Sequence, residues 1–177
     1  MRNWATRAVG ELAHRRDEIN ALNVFPVPDS DTGSNMAHTM EAAVAELDNG
    51  GDVADSLAFG AVRGARGNSG MVLSQVLRGV AESTVDSVID GDVFVRSLKQ
   101  AVELVDRAIA EPVEGTVITV LKAASESAED AQAQSGATLH STVSAAIAAA
   151  ETALERTPSQ LPALREAGVV DAGGAGL

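Results

Sequence analysis

The chain contains no cysteine and no tyrosine, and aromatic residues make up only 2% of its 177 positions. Without cysteine there is no disulfide framework and no cysteine-ligated zinc or iron–sulfur centre. Basic residues are also scarce, because 13 Lys and Arg face 25 Asp and Glu, and the formal net charge is −12. Contacts to nucleic acid phosphates need clustered Lys and Arg, so this balance argues against a nucleic-acid-binding protein.

Long hydrophobic runs are absent as well, although 45% of the residues are hydrophobic. That content is typical of a globular protein and argues against a disordered chain. No run approaches the about 20 apolar residues of a membrane-spanning helix. The first 20 residues intersperse charges and contain no apolar signal core. We therefore expect one globular domain over residues 1–177, located in the cytoplasm.

Apolar residues recur at helical spacing along most of the chain. The clearest stripe advances in steps of three and four residues through Phe94, Leu98, Val102, Val105 and Ile109. The only strand-like segment, residues 85–95, is too short and too charged to build a sheet. The pattern predicts an all-α fold of seven or eight amphipathic helices. Abundant alanine allows close helix packing, which suits a bundle or a helical barrel.

Proline and glycine set the expected ends of these helices. Trp4 is expected to anchor the first helix in the core, and Pro158 and Pro162 to begin a last short helix that ends near residue 167. Loops are expected at 22–33, 64–70 and 131–137. The helices before the last one are expected at 2–21, from 32 or 34 to about 47, and at 56–62, 71–82, 92–110, 116–131 and 142–155.

The most informative stretch is residues 23–36, which read NVFPVPDSDTGSNM. Its prolines rigidify a loop that delivers Asp29 and Asp31, and residues two apart on an extended segment point to the same side. Carboxylate oxygens are hard ligands that select Mg²⁺ or Ca²⁺. The next residues open a helix, whose free N–H groups favour an anion. The stretch is typical of a loop that binds a magnesium nucleotide, and an ordinary turn with an aspartate cap is the alternative.

A calcium-binding loop is a further interpretation of the same residues. Counted from Asp29, the twelfth position is Met40, where such a loop requires a bidentate glutamate. The glycine also falls one place early. We therefore discount a calcium loop.

A second candidate segment is residues 64–70, which read GARGNSG. Three glycines in seven residues let the backbone approach a ligand closely, and Asn68 or Ser69 can cap the helix that follows. The segment is no Walker A loop, because it lacks the Gly-Lys-Ser/Thr ending and a preceding strand. A tight turn between two helices remains the alternative.

Weaker signals lie at Thr116, where residues 114–116 precede a helix, and at residues 171–174, which read DAGG. Taken alone, each of these is better explained by a plain helix cap or a chain tail. The three histidines lack partners at ligand spacing, and no Ser-His-Asp or Cys-His arrangement is present. The sequence therefore offers no protein nucleophile.

Taken together, these stretches resemble the ATP-binding (DhaL-like) domain shared by fatty acid kinases and the L subunit of dihydroxyacetone kinases. The similarity covers essentially the whole chain and is closest to the fatty acid kinase branch. It implies an antiparallel barrel of about eight amphipathic helices, with a magnesium nucleotide and two Mg²⁺ ions at one end. The stretches that carry it are LNVFPVPDSDTGSNM, GARGNSGMVLSQVLRG, EGTVITV and EAGVVDAGGAGL, in that order.

The resemblance also implies roles for individual residues. Asp29 and Asp31 correspond to Mg²⁺ ligands that act in catalysis, and Asn23 stands about where dihydroxyacetone kinases have a further aspartate. Ser30 replaces the family's usual glycine, and a positive φ there would cost about 1 kcal/mol or more. We expect adenine to lie among aliphatic side chains. The residues expected around ATP or ADP are Thr32, Gly33, Asn35, Asn68, Ser69, Gly70, Thr116, Asp171 and Gly173.

The activity implied by the resemblance is phosphoryl transfer from ATP to a fatty acid carboxylate presented by an acyl-binding partner protein. The ATP-binding protein of the fatty acid kinases continues beyond the region matched here, so the chain is expected to be the N-terminal part of a longer kinase. It should bind Mg-nucleotide but phosphorylate fatty acid poorly or not at all alone. A homodimer would form through the full-length protein.

Two alternative functions remain open. The first is an L-type subunit with glycerone kinase activity, which phosphorylates a triose held on a partner; the PVPDSDTG form argues against it. The second is a non-catalytic helical interaction module. Retention of Asp29 and Asp31 argues against that module, because neighbouring carboxylates repel each other without a cation or hydrogen bonds.

Overall fold

The computed structural model describes residues 1–177 as nine α-helices and no strand, which confirms the predicted all-α fold. A turn of 3₁₀ helix, Leu47–Asn49, continues the second helix, and one isolated bridge joins Val85 to Val88. None of the helices combines the length and apolar character needed to cross a membrane. The helices are α1 (Arg2–Ala21), α2 (Thr32–Glu46), α3 (Val53–Gly64), α4 (Gly67–Ser83), α5 (Gly91–Ala108), α6 (Val117–Gln132), α7 (Leu139–Gln160), α8 (Pro162–Ala167) and α9 (Ala172–Gly176).

Each long helix packs against the next in the chain, in antiparallel order. Helix α2 also contacts α4, and the short α9 lies against α1, α2 and α6. The C-terminal segment thereby joins the first two helices to a helix from the second half of the chain. The largest apolar cluster fills the space between α1, α2, α3 and α4 and includes Ile19, Met36, Met40, Leu57 and Leu77.

Small residues stand where the helices approach most closely. A Cβ atom on Gly79 of α4 would lie 2.7 Å from the backbone nitrogen of Ala101 and 2.8 Å from the carbonyl oxygen of Ser97, both in α5. Real Cβ atoms do not approach other atoms so closely, so a larger residue here must separate the two helices. Such contacts explain how a core with few aromatic rings packs closely.

Several helix ends differ from the prediction. Helix α4 begins at Gly67, inside the segment expected to be a loop, and α3 begins three residues before Ser56 because Asp52 accepts hydrogen bonds from the first-turn N–H groups. Helix α7 runs through Pro158 instead of ending before it. The carbonyl of Leu154, which proline cannot bond, accepts a 2.7 Å hydrogen bond from the Thr157 hydroxyl. The short helix α9 lies in a segment for which the sequence pattern predicts no helix.

Trp4 is not a core anchor, since 54% of its surface is exposed. The buried stripe of α1 consists of Ala5, Leu12 and Ile19, one residue for every two turns. Trp4 directly precedes Ala5 and is therefore rotated about 100° around the helix from that stripe. The prediction was wrong because α1 contacts α2 along a narrow line that small and aliphatic side chains fill.

We expect Gly79→Ala to lower the free energy of unfolding by about 1–3 kcal/mol, because the added methyl group forces α4 away from α5. Gly10→Ala is the matched control, since nothing lies within 4 Å of a Cβ atom built on Gly10 in α1. This control should gain up to about 1 kcal/mol from helix propensity. Urea unfolding followed by circular dichroism measures both changes. Equal effects of the two substitutions would contradict the close approach of α4 and α5.

Candidate functional site

A cavity of about 660 Å³ opens where the N-terminal ends of α2, α4 and α6 meet. Its volume falls in the range of small-molecule sites. The loop before α2 forms one wall, the loop between α5 and α6 forms another, and the segment at the start of α9 completes it. Four stretches that are distant in sequence therefore meet at one site.

The structure brings together all the predicted site residues except two glycines. The exceptions are Gly33 and Gly70, which are buried in contacts between helices. A Cβ atom on Gly33 would collide with the carbonyl oxygen of Arg16, and one on Gly70 with the hydroxyl of Thr39. These glycines let α1 and α4 approach α2. The predicted residues that line the cavity are Asn23, Asp29, Asp31, Thr32, Asn35, Asn68, Ser69, Thr116, Asp171 and Gly173.

The loop before α2 is braced by Asn23, whose surface is only 5% exposed. Its amide nitrogen donates to the carbonyl of Val27 at 3.2 Å, and its amide oxygen accepts from the backbone N–H of Asp31 at 3.1 Å. The side chain thus holds the loop closed around the two aspartates. A direct role of Asn23 as a metal ligand stays a prediction; the hydrogen bonds give it a bracing role.

Ser30, between the two aspartates, has φ +56° and so adopts the left-handed conformation. The sequence raised this possibility because the related domains usually have glycine at this position. A non-glycine residue in this region is strained by about 1–3 kcal/mol. The chain therefore carries local strain in the loop that presents Asp29 and Asp31 to the cavity.

Helices α2 and α4 have free N–H groups at the ends that meet the cavity. The backbone N–H groups of Gly67, Asn68 and Ser69 in α4, and that of Thr32 in α2, donate no hydrogen bond within the chain. Neither helix receives a hydrogen bond from the side chain of its own N-cap residue. Unpaired N–H groups at the positive end of a helix dipole attract anions such as phosphate.

The N-terminal end of α6 differs, because the carboxylate of Asp171 lies close to it. Asp171 is 6% exposed, accepts a 2.7 Å hydrogen bond from the N–H of Gly174, and is braced by Thr157, whose hydroxyl accepts from the N–H of Asp171 at 3.0 Å. Burial raises the pKa of the Asp171 carboxyl, although hydrogen bonds from the backbone N–H groups of Gly174, Val117 and Gly173 oppose this shift.

The charged residues of the lining are all acidic. They are Asp29, Asp31, Glu111 and Asp171, and no lysine or arginine reaches the cavity wall. Carboxylate, amide and hydroxyl oxygens form the donor set that suits Mg²⁺. No cluster of three metal-binding side chains is present in the chain. A Mg²⁺ ion held by Asp29 and Asp31 would therefore keep water and ligand oxygens in its other positions, as Mg²⁺ commonly does.

Sequence reasoning missed the apolar wall and the acidic residue within it. The apolar residues could be recognised only in part, because Ile109 belongs to the stripe of α5, a pattern that predicts a core position. Glu111 lies beside Pro112, in a segment where no motif signalled a site. The lining contains only one aromatic residue, Phe25, and the aliphatic surroundings of adenine stay a prediction. The missed residues include Phe25, Gly67, Met71, Val72, Ile109, Glu111, Val113, Val117 and Ile118.

We expect Ser30→Gly to raise the free energy of unfolding by about 0.5–1 kcal/mol. Relief of the left-handed strain, about 1–2 kcal/mol, exceeds the added entropy of a glycine in the unfolded chain. The control is Ser30→Ala, which keeps the strain and removes a hydroxyl that makes no hydrogen bond. Denaturant unfolding measures both variants. A gain for alanine equal to that for glycine would argue against strain at this position.

The raised pKa of Asp171 makes stability depend on pH. The folded state holds the Asp171 proton more tightly than the unfolded chain does, so the free energy of unfolding falls as pH rises from the ordinary carboxyl range through the raised pKa. Asn can still accept the hydrogen bond from Gly174 but does not titrate. Asp171→Asn should therefore remove this decrease, as measured by urea unfolding across the acidic range. Parallel pH profiles for the two proteins would contradict the assignment.

Comparison with known proteins shows the family to which the chain belongs. The model of the DAK2 domain matches residues 26–177, a span that contains every predicted site residue except Asn23. Protein YloV of Bacillus subtilis is 40% identical over 172 residues, covering 94% of this chain and 31% of that protein. Uncharacterized protein SSP1546 of Staphylococcus saprophyticus is 38% identical with the same coverage of both chains. The chain thus spans about a third of the length of these curated relatives, and it belongs to the DAK2 domain family.

Proposed function

We propose that the cavity binds ATP or ADP together with Mg²⁺, and that the chain is the single nucleotide-binding domain of a longer kinase. The DAK2 domain is an ATP-binding domain of dihydroxyacetone-kinase-like proteins. The observation that carries the proposal is a cavity with four carboxylates and no basic residue that also exposes the free N-terminal ends of α2 and α4. Such a cavity suits a phosphate chain only when cations accompany it.

The proposed arrangement divides the cavity into two parts. Asp29 and Asp31 hold Mg²⁺, and the free N–H groups of α2 and α4 hold the phosphate oxygens. The carboxylate of Asp171 lies close to the start of α6 and repels phosphate from that end of the cavity. The nucleoside then lies along the apolar wall beside Thr116 and Gly173.

The reaction that we propose is transfer of the γ-phosphoryl group to a carboxylate of a fatty acid presented by a partner protein. The bond between the γ-phosphorus and the bridging oxygen breaks, a bond from the carboxylate oxygen to phosphorus forms, and ADP and an acyl phosphate result. When bound, Mg²⁺ neutralises the charge on the phosphate oxygens. Because the acceptor carboxylate attacks phosphorus directly, no protein nucleophile is required. The chain's own residues orient the phosphates and exclude water.

The choice of a fatty acid carboxylate as the acceptor rests on the similarity to the fatty acid kinases. The PVPDSDTG motif favours that branch over the dihydroxyacetone kinases. The chain covers about a third of the length of its relatives, so the acceptor site and the partner contacts of the whole protein belong to this proposal. A kinase domain with its acceptor carried by another protein should show little or no transfer by itself.

Calorimetry with ADP tests the nucleotide site. We expect Asp31→Ala to abolish the Mg²⁺-dependent part of ADP binding, because one of two metal ligands is lost, while the helical content stays unchanged. Asp130→Ala is the matched control, since Asp130 is an exposed carboxylate near the end of α6, outside the cavity lining. Retained Mg²⁺-dependent affinity in Asp31→Ala would refute the metal assignment.

A second assay addresses the acceptor. The full-length protein should consume ATP when a partner protein loaded with fatty acid is supplied, and should not respond to a partner carrying dihydroxyacetone. The isolated chain should give little or no turnover with either. Turnover only with the triose would replace the proposed acceptor, and nucleotide binding without turnover in any mixture would favour a non-catalytic module.

A further inference from the structure

Four helices of this chain begin after an aspartate in the N-cap position, and one of these aspartates behaves differently from the others. Three of them accept a hydrogen bond from the N–H group three residues ahead, as capping aspartates commonly do. Asp31, before α2, makes no such hydrogen bond. The three capping pairs are Asp52 with Asp55, Asp90 with Val93, and Asp171 with Gly174.

The N–H group that Asp31 would be expected to bind is already occupied. It belongs to Ser34, and it donates to the amide oxygen of Asn20 at 3.1 Å. The amide nitrogen of Asn20 in turn donates to the hydroxyl of Ser34 at 3.0 Å. Asn20 lies in the last turn of α1. A residue of one helix therefore caps the next helix through two hydrogen bonds, in place of the aspartate that stands at its start.

The backbone conformation of Asp31 also differs from that of the three aspartates that cap their helices. Asp31 has φ −120° and ψ −4°, whereas Asp52, Asp90 and Asp171 are all extended, as capping residues usually are. The N–H group of Asp31 is held by the amide oxygen of Asn23 at 3.1 Å. Two asparagines, three residues apart, thus fix the backbone on either side of the Asp31 carboxylate.

We propose that Asn20 is a positioning residue for the metal site, because it takes over the capping of α2 and leaves the Asp31 carboxylate free to bind Mg²⁺. This inference rests on the proposed nucleotide function. A carboxylate that accepts an N–H hydrogen bond at a helix start is held toward that helix, and it has fewer free lone pairs to offer a cation in the cavity. Asn20 removes this competition while it also ties the end of α1 to the start of α2.

The test is the affinity of Asn20→Ala for Mg²⁺ and ADP. Without Asn20, the N–H of Ser34 becomes available, and Asp31 turns back to cap α2. We expect the affinity for Mg²⁺ in the presence of ADP to fall about tenfold, the size typical for a lost partner of a metal ligand. Direct binding of Mn²⁺, followed by electron paramagnetic resonance, should weaken in parallel. The melting temperature without metal should fall only slightly, since a cap by Asp31 replaces one of the two hydrogen bonds that join Asn20 to Ser34.

Two further variants separate this role from a merely structural one. Ser34→Ala keeps the backbone N–H bond to Asn20 and loses only the second hydrogen bond, so its metal affinity should stay within about twofold of the wild type. Asn20→Asp keeps an acceptor for the Ser34 N–H and should restore most of the affinity lost in Asn20→Ala. Both measurements use the chain as described, with ADP and Mg²⁺ or Mn²⁺ as the probes.

The possible outcomes are distinct. Unchanged metal affinity in Asn20→Ala would overturn the role of Asn20 without affecting the proposed nucleotide site. An equal loss of affinity in Ser34→Ala, or a failure of Asn20→Asp to restore binding, would overturn that role in the same way. A wild-type protein without Mg²⁺-dependent ADP binding would refute the proposed function itself, together with the role of Asn20. A tenfold loss of Mg²⁺ affinity in Asn20→Ala that Asn20→Asp restores and Ser34→Ala does not show would support the role of Asn20.

Discussion

The close approach of three helices to α2 is the constraint on which the rest of the structure depends. Helix α1 lies against Gly33, α3 presents Gly60 to the backbone of α2, and the Gly70 position of α4 lies against Thr39. At Gly33 and Gly60 the nearest atom is backbone, and at Gly70 it is the hydroxyl of Thr39, so dispersion contacts along α2 are dense. Because α2 and α4 are held this closely, their N-terminal ends open on the same cavity. The packing therefore creates the site rather than merely supporting it.

Electrostatics then determines what the cavity accepts. Its carboxylates repel a bare phosphate chain, while the free ends of α2 and α4 attract one. The proposed ligand, a nucleotide with Mg²⁺, combines negative oxygens with cations and so satisfies both features. The net charge of −12 is thus compatible with a phosphate ligand, because the local balance of cation, carboxylate and N–H group decides binding.

The sequence predicted most of the fold because helical periodicity is a local property, and the helices with strong apolar stripes were located well. The cavity brings together residues from the stretches 29–35, 67–69 and 171–173, whose roles toward a ligand stay predictions. What could not be predicted depended on tertiary contacts. Pro158 is tolerated inside α7 because of one hydroxyl, and Trp4 is exposed because α1 buries a narrow stripe. The role of Asn20 needs a partner fourteen residues away, which no local pattern reveals.

The position of α9 has a consequence for how the protein is made. This segment contacts α1, α2 and α6, and the residues around it supply Asp171 and Gly173 to the cavity. The cavity therefore stays open on one side until the segment around α9 has been synthesised and has returned to the first two helices. During translation, the long helices can pack against one another in chain order, whereas the complete cavity forms only after α9 leaves the ribosome. Ligand binding is thereby tied to the completion of this region of the chain.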